Sequence, residues 1–150
     1  MKRLISIIAF ASLVSLFPAC GKDNSTNNAE TRIIGSWELR QSSGGMRAAT
    51  DYPAANGNIL KFTGSNYESF TDGQLVKRGT YSIVSDTTVE ASVCLVLPAG
   101  EFRNRIIYDN DDQSTKVFIQ ITGNKLSIIS GCYAVDAGHR RDYEKQSGNN

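Results

Sequence analysis

From Thr31 to Tyr143 the apolar and polar positions recur with a period of two rather than 3.6, the period of a strand with one buried face. Tyr81 and Ile83 alternate with Thr80 and Ser82; Val117, Ile119 and Ile121 alternate with Phe118, Gln120 and Thr122; Leu126 and Ile128 alternate with Lys125 and Ser127. Between these runs stand Gly64-Ser65-Asn66, Asp72-Gly73, Ser85-Asp86, Asp109-Asn110-Asp111-Asp112 and Gly123-Asn124. Gly and Asn tolerate the positive φ of tight hairpins, so each run is expected to double back on its predecessor. Strands are predicted near 33–42, 57–64, 66–72, 75–85, 88–97, 103–109, 114–122, 125–132 and 138–144. The fold class that follows is all-β: an up-and-down antiparallel β-barrel of eight or nine strands with almost no helix, closed so that no strand edge is left unpaired.

An eight-stranded barrel is just wide enough to be filled by side chains or to hold one small ligand. The inward set is bulky, with Trp37, Phe62, Tyr67, Tyr81 and Tyr143 among it, and strand 88–97 is expected to add Val93 and Leu95. One segment breaks the alternation. Ser42 to Asn58 is long, rich in Gly and Ala, and carries Met46, Tyr52 and Pro53. Such loops are functional or disordered more often than not, so Met46 and Tyr52 are candidates to touch an apolar guest, or else to cap the core. A ligand role requires a continuous apolar void beneath this segment; a packed interior would sink it.

The N-terminus follows a different pattern. Lys2 and Arg3 precede an apolar stretch, Leu4 to Phe17, that carries no charge. It has the form of a secretory signal and falls short of the roughly 20 residues a membrane-spanning helix needs. Ala19 suits an ordinary cleavage site, but Phe17 is too bulky for the position two residues before it. Ala19-Cys20 instead resembles the lipobox of bacterial lipoproteins, departing from it at Phe17, where the pattern prefers Leu, and at Pro18. The resemblance implies that Cys20 is acylated on sulfur and heads the mature chain. Two or more acyl chains, palmitate among them, anchor a protein stably to a membrane. The following Lys22-Asp23 resembles the charged dipeptide of surface-exported lipoproteins of the Bacteroidetes type. The expected organisation is a signal peptide over 1–19, a lipidated cysteine and flexible tether over 20–31, and a barrel domain over 32–150. The implied location is the cell envelope, at the periplasmic or surface face of the outer membrane.

Three short motifs fall in order along the barrel region: Gly35-Ser36-Trp37 opening the first strand, Gly79-Thr80-Tyr81-Ser82-Ile83 in mid-sequence, and Gly123-Asn124-Lys125-Leu126-Ser127-Ile128 near the end. In that order they are similar to the short lipocalin-like domains of bacterial lipoproteins. The resemblance implies that the Ser42–Asn58 loop folds over the open mouth, that Trp37 closes the other end, and that an arginine of the last strand stacks on its indole. Arg141 is the candidate, since it lies two residues before Tyr143 and shares its face. The alternative leaves Trp37 in a plain core with Arg140 and Arg141 both solvated.

Once Cys20 carries lipid, Cys94 and Cys132 remain. In an exported chain they form a disulfide or persist as two buried thiols, and the oxidising compartment favours the bridge. The formal charge of the whole chain is +1 and becomes slightly negative once Lys2 and Arg3 are removed, and the basic residues form only pairs such as Lys77-Arg78 and Arg140-Arg141. No clustered basic face is available for nucleic acid. The single histidine, His139, has no nucleophile or carboxylate placed against it by any motif. Ser42-Ser43-Gly44-Gly45 lacks the lysine and helix of a phosphate loop, and Asp109 to Asp112 reads as a hairpin turn rather than a calcium loop. No catalytic residue, metal or cofactor is expected. The leading expectation is a binding module for a small apolar or amphipathic ligand, anchored through acyl chains on Cys20. The alternative is a filled barrel whose outer face meets a protein or glycan partner.

Overall fold

The structure, a computed structural model, describes residues 24–45 and 47–147. The expected signal peptide over 1–19, Cys20 and Met46 lie outside them. A helix α1 (Asn24–Ile33) is followed by nine strands: β1 (Gly35–Gly44), β2 (Arg47–Asp51), β3 (Ile59–Thr63), β4 (Asn66–Thr71), β5 (Gln74–Ser85), β6 (Asn104–Tyr108), β7 (Val117–Thr122), β8 (Lys125–Ser130) and β9 (His139–Lys145). All pairings are antiparallel. The order runs β1-β3-β4-β5-β6-β7-β8-β9 and returns to β1, which pairs with β9 from Trp37 to Gly44. The result is a closed eight-stranded barrel with β2 as an extra strand. β1 outruns β3 on its other edge, and β2 takes up the vacated edge from Gln41 to Gly44.

Turn chemistry explains the meander. Asp72 and Gly73 both hold positive φ, at 50° and 77°, the backbone of a two-residue turn whose twist matches the strands it joins. The expected turn at Asp109–Asp112 is also present. Asp109 accepts the Thr80 amide at 3.0 Å and the Tyr67 hydroxyl at 3.0 Å, while Asp111 Oδ1 takes the amides of Gln113 and Ser114. Gly79 is small for the first of these reasons, because a Cβ there would collide with the Asp109 carboxylate.

The inner face is the one the alternation predicts. Trp37, Phe62 and Leu126 are essentially inaccessible, and Tyr81 meets Phe62 edge-on at 4.8 Å between ring centroids. Two predicted elements are different in kind. Strand 88–97 does not form; the helix α2 (Val89–Val93) stands there, and Leu95 is exposed rather than inward. Val89 and Val93, one helical turn apart, bury with Phe102, Phe118 and Ile129 in a second, smaller core on the outer face of β7 and β8. Phe118 thus points away from the barrel axis, as its parity requires, yet is fully buried. The connection from β5 to β6 is a strap laid across the barrel wall. Its middle, where α2 ends, is bonded to the β8–β9 loop by the Cys94–Cys132 disulfide, Cα atoms 5.0 Å apart. For a separation of 38 residues, the chain-entropy account assigns such a bond about 3 to 4 kcal/mol.

The second difference is the tether. From Asn24 onward the expected flexible segment is helical, with Ala29 and Ile33 buried in the main core. Polar composition did not keep this segment from folding, because the barrel end supplies the apolar surface that α1 lacks by itself.

Candidate functional site

The two barrel ends are built differently, and the contrast locates the site. At the first end α1 is the stopper. Its last carbonyls need partners, and Ile33 O accepts the Trp37 indole N–H at 2.6 Å while Arg32 O accepts Lys145 Nζ at 3.2 Å. Arg32 in turn donates to Ile121 O at 2.7 Å. The cation over the indole is Lys145, its Nζ 5.0 Å from the ring centroid, and not Arg141 as the family resemblance implied. Gly35, at φ 128°, lets the chain turn from helix into strand, and a Cβ there would press on the Lys145 side chain. Nearby, Asp86 receives the Thr88 hydroxyl at 2.6 Å, the Thr88 amide at 2.9 Å and Lys116 Nζ at 2.9 Å. Burial opposes its ionisation, but these donors outweigh it and hold the carboxyl at about 2, below its usual 3.8.

At the opposite end lies a cavity of about 760 Å³. The register explains its walls. β1 carries a bulge between Leu39 and Gln41, and the extra residue, Arg40, turns outward to Glu38 at 2.8 Å and Glu144 at 3.0 Å. Beyond the bulge Ser42 pairs with Arg141 and Gly44 with His139. Arg141 also pairs with the buried Ile128, and Tyr143 with Leu126, so His139, Arg141 and Tyr143 share the inner face of β9. The alternation therefore predicts the direction of Arg141 correctly but not its height: it stands at the mouth, not over Trp37.

Leu39, Ile59 and Phe70 supply the apolar part of the cavity wall, and Ser42, Thr50, Asn58 and Ser69 the polar part. Tyr52 lines it too, its hydroxyl 3.3 Å from Ser42 Oγ, which places one of the two predicted lid residues against the space. The lid itself is more ordered than a loop. β2 pairs back onto β1, and Asn56 fastens the return segment by donating to Leu39 O at 2.8 Å and through its amide to Glu38 Oε1 at 2.9 Å. Burial pushes the Tyr143 hydroxyl up, against the pull of the Arg141 charge. The void is thus where a guest was expected, but its wall is largely polar and positively charged rather than continuously apolar.

The Cys94–Cys132 bridge lies on the outer flank, outside this wall. His139, Ser69 and Phe70 are cavity residues that the sequence did not single out. For His139 the signal was available, since it continues the inward series of Tyr143 and Arg141 at the same spacing of two. Among the described residues no group of acidic, His and Cys side chains is arranged to hold a metal ion, and no helix is long and apolar enough to cross a membrane. Comparison with protein-family models, curated proteins and solved structures finds no match. The fold and the cavity therefore define the class: a closed antiparallel β-barrel, stoppered at one end by a helix and hollow at the other.

Proposed function

We propose that the protein is an envelope-anchored, lipocalin-like binding module that holds one small amphipathic molecule in the mouth of its barrel and performs no chemistry on it. The observation that carries this reading is the cavity of about 760 Å³ beneath the β1–β2 hairpin of a barrel otherwise packed with side chains. That volume lies in the range of small-molecule sites, roughly 300 to 1,000 Å³. A filled structural barrel has no reason to leave it. Isothermal titration with a panel of small amphiphiles tests the reading, alongside Ser69→Trp, which fills the space. Binding that is lost in the variant supports it; absence of heat from every member of the panel would overturn it.

Anchoring through Cys20 rests on the apolar stretch and the Ala19-Cys20 pair. Cys20→Ser should release the protein from the membrane fraction, and retention there would refute the anchor. The interaction reading keeps one observation of its own: Val96 and Val135, flanking the disulfide, are 88% and 70% exposed. Exposed apolar side chains clustered on one flank suit contact with a protein or glycan.

A further inference from the structure

The cavity wall is lopsided in charge. Among the described residues it includes Arg141, Arg140 and His139 and no carboxylate. The acids nearest along the chain are already occupied elsewhere. Glu38 is buried beneath the Asn56 segment with Arg40 at 2.8 Å, and Asp51 accepts Gln41 Nε2 at 2.7 Å. Arg140, on the opposite face of β9, is held by Asp142 at 2.8 Å. Arg141 has no carboxylate partner among the described residues; its neighbour is the Tyr143 hydroxyl. A guanidinium is a planar fork of donors matched to a carboxylate, and next to it stand the hydroxyls of Ser42 and Tyr143. The apolar side chains of Leu39, Ile59 and Phe70 share the same space.

Resting on the reading of the barrel as a binding module, we infer that its ligand is an amphipathic organic anion whose carboxylate is taken by Arg141 and whose apolar body lies on Leu39, Ile59 and Phe70. A neutral guest of the same shape offers the guanidinium no counter-charge. A cationic guest meets like charge. Arg141 is therefore the specificity-determining residue, because the rest of the wall accepts any guest of suitable volume.

Decanoate, 1-decanol and decyltrimethylammonium share one tail and differ in head charge, so calorimetric titration of the three against the purified protein isolates the head. Decanoate should bind about 10- to 100-fold more tightly than decanol, the span expected of charge-assisted hydrogen bonds. Raising the salt concentration should narrow that gap. Arg141→Gln should bring decanoate down to the level of decanol, and Arg141→Lys should restore only part of the preference, with thermal unfolding reporting that each variant is folded. Equal binding of decanoate and decanol would overturn the anion while leaving the binding module intact. Failure of all three to bind would overturn the module itself. A full preference for decanoate in Arg141→Gln would show that the anion is held elsewhere.

Discussion

One barrel, made of the same strands, ends in two opposite ways. At the stoppered end the chain supplies partners to its own polar groups: the carbonyls of Ile33 and Arg32 take the Trp37 indole and Lys145, and Asp86 is ringed by Thr88 and Lys116. At the mouth the bulge at Arg40 sends one cation outward to two glutamates and leaves Arg141 facing space. Chain interactions fill one end and leave a void at the other, which separates what holds the barrel closed from what stays open in it. The lesson is that closing a barrel and filling it are separate matters, decided here at separate ends.

If that division holds, substitutions should sort by end. Trp37→Ala should destabilise most, by about 3 to 5 kcal/mol, as for removal of a buried aromatic, read from urea unfolding midpoints. A comparable loss on Arg141→Gln, expected within about 0.5 kcal/mol, would break the comparison. Acid should act through the stoppered end. Asp86 ionises at about 2 in the folded protein against 3.8 ordinarily, so its contribution is present above pH 4 and is lost as the pH falls from about 4 towards 2. That contribution is about 2 kcal/mol, and in Asp86→Asn the loss across this window should shrink when stability is measured as a function of pH. Lys145→Met keeps much of the side-chain volume but removes both the charge over the indole and the donor to Arg32 O; a loss of about 1 kcal/mol is expected from denaturation, with ligand binding untouched.

The parts legible in the sequence were those with enough residues to show a period. Runs such as Val117–Thr122 and Lys125–Ser130 display three inward positions each, and their turns carry residues whose φ preference is specific. Both helices were illegible for one reason. α1 and α2 each bury a stripe of two residues, Ala29 with Ile33 and Val89 with Val93, and a single i, i+4 pair cannot be told from chance. The apolar run Val93–Leu97 made the second case worse by reading as strand. The cavity was half legible. Its place under the Ser42–Asn58 segment followed from loop length, whereas its polarity depends on the bulge at Arg40, which shifts the phase of β1 without leaving any mark in the alternation. The same blindness to height set Arg141 on Trp37 instead of at the mouth.

The pairing of β1 with β9 has a consequence in time. These are the first and last strands of the chain, so the seam that closes the barrel joins residues about as far apart in sequence as the domain allows. Contacts of such range are formed late and slowly, because the entropy of a long loop must be met before any of them forms. Until His139–Lys145 has emerged and docked, β1 and β8 stand as open edges able to pair with another chain. A nascent or unfolded copy is therefore most vulnerable to self-association at its two seam strands, and a truncation that removes β9 should aggregate rather than fold into a smaller barrel.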